Sequence, residues 1–256
     1  MRYRARVAEM TRRLLIGFHA VGVRLKTAPD SLREVHIDSA RRDGRMRQFA
    51  ERLQAAGVKI SDSDDAALTR LSGTPRHQGV LAFADPLPMA RTVIELLDAL
   101  DPAAGPPLLL VLDGVTDPHN LGACLRVADG AGAHAVIAPK DHAVPLNATV
   151  AKVASGAAET VPYLMVTNLA RALGELKAAG VLVVGTTDDA PQTLYQATLA
   201  GPLALVLGAE GAGMRHLTRK TCDALVRIPM HGAVESLNVS VAAGIALFEA
   251  RRQRGA

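Results

Sequence analysis

Apolar and polar positions change character along this chain. From residue 108 onward, apolar residues gather in short unbroken runs, at 108–112, 135–137, 181–185, 203–207 and 224–228. Runs of that length without alternation are the mark of strands covered on both faces, as in a parallel sheet between helices. Between the runs, apolar residues recur at spacings of three and four. These predict helices over 121–131, 147–155, 168–179, 214–220 and 237–252. In the last of them Leu237, Val241, Ile245 and Phe248 share one face. Before residue 108 the alternation is shorter. It gives a helix over 14–26, a strand at 34–37 and a helix over 43–56 with Met46, Phe49, Ala50 and Leu53 on one side. A strand at 58–60, a helix through residue 71 capped by Ser61 or Asp62, and a strand at 80–83 follow. Prolines cluster at 85–88 and 101–107, on either side of an amphipathic stretch at 90–100. The fold class is therefore α/β. The expected organisation is an arm over 1–13, a small α/β domain over 14–88, a linker over 89–106 and a larger parallel-sheet domain over 107–256.

Composition narrows the function classes. The chain has 256 residues, 49% hydrophobic and 21% charged, which is globular and not disordered. No apolar run approaches the 18 or more residues of a membrane span, and the N-terminus lacks the apolar stretch of a signal peptide. Two cysteines, Cys124 and Cys222, have neither metal-ligand spacing nor the density of a disulfide framework. Free thiols in a reducing cytoplasm are the simpler account, and no metal is expected. Charge is divided unevenly. Residues 1–90 carry 16 Lys+Arg against 10 Asp+Glu, a balance of +6, and the remainder carry 13 against 15, a balance of −2. The arginines at 2, 4, 6, 12 and 13 and the cluster at 41, 42, 45 and 47 make a polyanion the natural partner of the N-terminal part.

Three strand-to-loop junctions concentrate the polar chemistry. Residues 108–126 run from a strand into Asp-Gly-Val-Thr-Asp-Pro-His-Asn-Leu-Gly-Ala-Cys-Leu-Arg. Residues 203–214 run from a strand into Gly-Ala-Glu-Gly-Ala-Gly-Met. Residues 224–240 run from a strand through Pro229 and Gly232 into Ser236, Leu237, Asn238 and Ser240 at a helix start, where Ser and Asn accept from free backbone N–H groups. Loops at the carboxyl ends of strands are where open α/β sheets bind ligands. The glycine spacing at 208, 211 and 213 is the reverse of the dinucleotide fingerprint and lies in the last third of the chain, so a nicotinamide or flavin dinucleotide is not expected.

These three segments resemble the motifs of the SPOUT superfamily, and within it the SpoU/TrmH group of RNA ribose 2′-O-methyltransferases. The likeness rests on Asn-x-Gly-x-x-x-Arg at 120–126, Leu-Gly-x-Glu-Gly at 207–211 and Ser-Leu-Asn at 236–238. It is dense in the C-terminal half and looser before it. The resemblance implies a parallel sheet with a deep trefoil knot in the C-terminal domain and an N-terminal domain similar to ribosomal protein L30e, an RNA-binding fold. It implies S-adenosylmethionine held in the knot by backbone around Leu207, Gly208, Ile228, Met230 and Leu237. It implies methyl transfer to a guanosine ribose in the peptidyl-transferase loop of bacterial 23S ribosomal RNA, by a homodimer whose arginine reaches toward the partner's cofactor.

A ribose hydroxyl needs its proton removed or its anion stabilised as it attacks. His119 is the obvious base by residue type, whereas the resemblance points to Arg126. Because arginine stays protonated, Arg126 acts either as a base with help from a substrate phosphate or as an electrostatic stabiliser. Asn120 is expected to orient it, with Glu210, Ser236 and Asn238 holding the substrate and the Arg126 loop. A bulky residue at Gly208 is expected to weaken cofactor binding with the fold intact. The same chemistry on transfer RNA is the nearest alternative, although a separate N-terminal domain argues against it. A non-catalytic RNA-binding protein would leave the set Asn120, Arg126, Glu210 and Asn238 without a purpose.

Overall fold

The computed structural model describes residues 12–87, 90–101, 103 and 105–255. Most of the expected basic arm, including Arg2, Arg4 and Arg6, lies outside the described residues. The chain divides into two compact units, Met1–Pro88 and Met89–Ala256.

In the first unit a four-stranded sheet has the order β1-β4-β2-β3, from β1 (Arg13–Ile16), β2 (Leu32–Asp38), β3 (Ile60–Ser63) and β4 (Val80–Ala84). The β1/β4 and β2/β4 pairs are antiparallel and β2/β3 is parallel. The helix read from residue 14 begins later, as α1 (Gly17–Thr27). Leu14, Leu15 and Ile16 pair with Phe83, Ala82 and Leu81, and Gly17, at φ +87°, turns the chain from strand into helix. Asp43 caps α2 (Gly44–Ala55) by accepting from Met46 N at 3.1 Å. The strand read at 58–60 is displaced to β3 because residues 60–63 pair with Val35–Asp38 of β2. The cap of α3 (Asp65–Ser72) therefore falls on Asp64, not on Ser61 or Asp62. Phe18, Val21, Leu25, Met46, Phe49 and Leu53 of the helices meet Val35, Val80 and Ala82 of the sheet in one core.

The second unit is built on seven strands in the order β7-β6-β5-β10-β8-β11-β9, every pair parallel. They are β5 (Leu108–Asp113), β6 (Ala135–Pro139), β7 (Tyr163–Val166), β8 (Leu182–Thr186), β9 (Gln192–Thr193), β10 (Leu203–Gly208) and β11 (Ala224–Arg227). Alternate residues serve opposite faces, so Leu108, Leu110 and Leu112 enter one core while Leu109 and Val111 enter the other. The first core is covered by α5 (Pro118–Gly130), α6 (Ala148–Ala154), α7 (Ala157–Thr160) and α10 (Val239–Gln253). On the second face lie α4 (Val93–Asp98) and α8 (Leu169–Ala178), and α9 (His216–Thr221) precedes β11. Helix α4 lies within the stretch read as linker, and its Val93 and Leu96 are buried in that second core. Strands β7 and β9 have no counterpart in the sequence reading: β7 is a half-buried edge strand and β9 has two residues.

The residues grouped on one face of the last helix differ in burial, with Ile245 packed against the core and Val241 and Phe248 exposed. Val239, Ala243, Ala246, Leu247 and Ala250 are buried, whereas Val241 and Phe248 are 49% and 53% exposed. Both sides of α10 are apolar, so spacing alone did not fix which side meets the sheet. Close approaches elsewhere rest on missing side chains. A Cβ on Gly122 would lie 2.6 Å from Val153 Cβ and 3.0 Å from the Val150 carbonyl oxygen, so the glycine of the Asn-x-Gly motif lets α6 press against α5.

Candidate active site and cofactor cleft

The carboxyl ends of β8, β10 and β11 open on one cleft of about 330 Å³. The glycine loop after β10 forms one wall. It folds back on itself through two backbone hydrogen bonds between Ala209 and Gly213, of 3.1 and 2.8 Å. Gly211 and Gly213 adopt positive φ. At Gly208 a Cβ would fall 2.0 Å from the Gly213 carbonyl carbon and 2.2 Å from Met214 N. No side chain fits there without moving the backbone, which corrects the expectation that Gly208 can be enlarged with the fold intact.

Asp113 anchors the far end of this loop. It ends β5, pairs in register with Gly208 and is fully buried. One of its carboxylate oxygens accepts from Arg215 N at 2.8 Å and the other from Arg215 Nε at 2.7 Å. A burial of charge this complete stands only because both oxygens are hydrogen-bonded. Sequence reading took Asp113 as a strand end and missed this clamp.

Leu207, Gly208, Ile228, Met230 and Leu237 all line the cleft, as do Glu210 and Ser236. Thr186, Thr187 and Asp188, after β8, and Glu235 line it as well and were not singled out. The available signal was the polar run Thr-Thr-Asp-Asp at the carboxyl end of a parallel strand, the position where such sheets bind ligands. The lining side chains include Asp188, Glu210 and Glu235 and neither lysine nor arginine. Such a surface suits a cationic ligand with an apolar ring system against Leu207, Ile228, Leu237 and Val239, and it opposes a pyrophosphate.

Asn120, Asn238 and Arg126 stand outside the cleft lining. Asp117 caps α5, accepting from His119 N at 2.6 Å and Asn120 N at 3.0 Å. Asn238 caps α10, accepting from Ser240 N at 2.9 Å and Ser240 Oγ at 2.7 Å. Asn238 Nδ2 then donates to Asn120 Oδ1 at 2.9 Å, which ties the starts of the two helices together. The polar side chains of the first and third motifs thus meet directly. Arg126 is exposed on α5, with no hydrogen bond or ion pair among the described residues. Asn120 therefore does not orient it as expected: the two are six residues apart, about 120° around the helix from each other. Burial pushes the Cys124 thiol up to about 12 and the Cys222 thiol up to about 11, so neither is a thiolate nucleophile at neutral pH. No group of three metal-ligating side chains occurs among the described residues, and no helix there is long and apolar enough to cross a membrane.

Comparison with known proteins agrees with this geometry. Residues 107–248 match the family model described as SpoU rRNA Methylase family, and residues 14–90 match that of RNA 2′-O ribose methyltransferase substrate binding. The chain is 63% identical over 242 residues to the 23S rRNA (guanosine-2′-O-)-methyltransferase RlmB of Ralstonia nicotianae, covering 94% of this chain and 96% of that protein. Among solved structures, an RNA 2′-O ribose methyltransferase superposes with a TM-score of 0.74 at 28% identity, over 99% of this chain and 93% of its own. An AdoMet-bound rRNA methyltransferase from Sinorhizobium meliloti superposes with a TM-score of 0.71 at 25% identity, over 97% and 90%. Two domain matches in tandem, with the polar side chains of two motifs in hydrogen-bonded contact beside one cleft, lead to a single conclusion: the chain belongs to the SpoU rRNA methylase family.

Proposed function

We propose that this protein transfers a methyl group from S-adenosylmethionine to the 2′-hydroxyl of a guanosine ribose in the peptidyl-transferase loop of 23S ribosomal RNA. The observation that carries the reading is the cleft at the ends of β8, β10 and β11, acidic and apolar at once, beside the linked pair Asn120 and Asn238. S-adenosylmethionine supplies an activated methyl on a sulfonium. Its positive charge suits Asp188, Glu210 and Glu235, and backbone around Leu207, Gly208, Ile228, Met230 and Leu237 holds adenine and ribose. The relatives that cover both units are named for 23S rRNA, which supports that substrate over transfer RNA.

In this reading Arg126 stabilises the developing oxyanion of the ribose or passes its proton to a neighbouring phosphate. Glu210 and Ser236 hold the nucleotide, while Asn120 and Asn238 fix the two helix starts that frame it. Arg126 lies outside the lining of its own cleft, which supports a homodimer in which it serves the partner's cofactor. The exposed apolar side of α10, with Val241 and Phe248, supports the same assembly. The placement of β11 between β8 and the edge strand β9, which precedes it in the sequence, supports a knotted C-terminal domain. The mixed sheet of the first unit supports an L30e-like RNA-binding domain over 14–88, joined to the methyltransferase domain over 107–256 by residues 89–106, whose helix α4 packs into the core of the second unit. The compartment is the cytoplasm, where the RNA substrate is made.

The test is direct. Protein, isotopically labelled S-adenosylmethionine and 23S rRNA from an unmodified strain are incubated, and the RNA is digested in part to nucleosides, to identify the methylated residue, and in part to oligonucleotides, to place it. Labelled 2′-O-methylguanosine at one position in the peptidyl-transferase loop is the expected result. Label on a base, or on transfer RNA alone, overturns the reading.

A further inference from the structure

The first unit carries a second cavity, of about 340 Å³, in the groove between α1 and α2. Its floor is apolar, from Phe18, Gly22, Val23 and Phe49, and its rim carries His19, Lys26, Arg45, Gln48 and Arg52. No carboxylate lines it. Lys26, Arg45 and Arg52 are exposed and have no ion-pair partner among the described residues. Arg41, by contrast, is committed: its Nε donates to Asp43 at 2.5 Å and its Nη1 to the Gln78 carbonyl oxygen at 2.5 Å.

Two features make the groove more than a basic surface. The Phe18 ring is buried, 4% exposed, and stands edge-on to Phe49 at 5.1 Å between centroids. It cannot itself stack on a ligand, but the Arg45 guanidinium lies 4.4 Å above its centroid. A guanidinium held over a ring on one side offers a flat cationic face on the other. Outside the groove lining, against Gly17, Gln78 adopts φ +56°, a left-handed conformation that a residue with a side chain adopts at a cost. The turn is locked from both sides. Gly79 N donates to Nδ1 of the buried His77 at 3.1 Å, and the Gln78 carbonyl accepts from Arg41. The Gln78 side chain lies against Gly17, next to Phe18, and its amide forms no hydrogen bond among the described residues. The fold thus holds an amide, able to donate twice and accept twice, in strained backbone against Gly17, and links it through Arg41, whose guanidinium also lies 4.9 Å from the Phe18 centroid, to the ring that carries Arg45.

We propose that this groove takes an unpaired nucleotide of the RNA substrate. Arg45 stacks on its base, Gln78 bonds the base edge, and Lys26 and Arg52 hold the flanking phosphates. Unpaired bases stacked on arginine planes and read along their edges are how single-stranded RNA is recognised, whereas duplex RNA offers no such face. The inference rests on the RNA substrate proposed above and adds which surface selects it and which form of RNA it selects.

The experiment uses the full chain and a fluorescein-labelled RNA hairpin with a purine-rich unpaired loop, with a fully paired RNA of equal length as control. Anisotropy gives affinity across a salt series. Replacing Lys26 and Arg52 together by alanine should flatten the slope of log K against log salt by roughly 1.4, at about 0.7 per lost phosphate contact. Arg45→Lys keeps the charge and removes the plane, so affinity for the hairpin should drop about fivefold or more with the slope unchanged, within the range of base-stacking losses. Gln78→Gly separates recognition from folding: it should raise the melting temperature of the first unit by relieving the strained φ, yet weaken hairpin binding. None of these changes should affect the paired RNA by the same factor. Wild-type hairpin affinity in Arg45→Lys and Gln78→Gly, or an unchanged salt slope in the double variant, overturns the groove while methyl transfer by the wild type stands. Hairpin binding that depends on the groove, in a protein that methylates no ribose, would retain the groove and sink the proposed activity.

Discussion

Replacing Asp113 by asparagine tests whether the buried carboxylate holds the glycine loop in place. In the native protein its two oxygens accept from Arg215 N and Nε at 2.8 and 2.7 Å, and the carboxylate is fully buried. An asparagine of the same shape keeps one acceptor. Its NH2 group then faces the other Arg215 donor, so one charge-assisted bond is lost and a donor opposes a donor. Hydrogen bonds to charged groups contribute about 1.5–3 kcal/mol each. Losing one partner of a fully buried pair costs about 3–5 kcal/mol. Arg215, with its side chain 48% exposed, recovers part of its hydration, which brings the expected cost to about 2–3 kcal/mol. The chain has no tryptophan, so urea unfolding is followed by far-ultraviolet circular dichroism. Calorimetry on the same variant should show S-adenosylmethionine binding weakened about tenfold, because roughly 1.4 kcal/mol of loop order is lost at the cleft. Combining Asp113→Asn with Arg215→Met should add little to either single change. A variant within about 0.5 kcal/mol of the wild type, with native cofactor affinity, would refute the clamp.

Gly208→Ala should lower cofactor affinity by at least about tenfold and loosen the loop, read as faster amide exchange at Ala209 and Gly213, because its Cβ meets backbone at 2.0 Å. Native exchange and affinity in that variant would show that the loop yields freely. Arg126→Ala should abolish methyl transfer with cofactor affinity within a few-fold of native, and Arg126→Lys should fail as well for want of the planar fork. Mixed with a cleft variant such as Leu237→Glu, Arg126→Ala chains should recover activity through heterodimers, and no recovery despite subunit exchange rejects a shared site. Glu249 accepts from Arg252 Nε and Nη2 at 2.8 Å and from Gln253, which hold its carboxyl down at about 2. A lowered carboxyl stabilises the fold above its unfolded value, near 4.5, and that contribution is lost as pH falls toward about 2. Melting temperatures of Glu249→Gln should therefore depend less steeply on pH between 4.5 and 2 than those of the wild type; parallel curves would contradict the assignment.

The strands of the second unit were legible because sandwiched parallel strands must be apolar on both sides, and runs such as Leu108–Leu112 have no other economical use. The ends of β8, β10 and β11 were legible as loops, and the polar residues of two of them as ligand-facing. What the residues did not carry was pairing across distance. Residues 60–63, polar at every position after Ile60, become strand only through β2, and Gln192–Thr193 only through β11. The role of Gly122 is visible only from α6, and that of Asp113 only from Arg215. Thr186–Asp188 went unread because attention rested on glycines and asparagines, although a polar run at the same end of a neighbouring strand is the same signal. For α10, periodicity grouped Val241, Ile245 and Phe248 on one face without fixing which side meets the sheet, because the alanines beside them are apolar too.

The order of the strands also sets when the site can exist. β10 lies between β5 and β8, and β11 enters between β8 and β9, so the cleft, lined from Thr186 to Ala242, is made by the later-synthesised half of the second unit. During synthesis β5 to β9 emerge first, and β5 can pair with β6 at once, yet β8 has no partner until β10 is made and β9 has none until residue 227 is free. Contacts of such long sequence separation make for slow folding. A nascent chain that stops before α10 lacks Val239 and Ala242, the part of the cleft lining that α10 supplies. The lining of the cleft is complete only once Ala242 of α10 has been made.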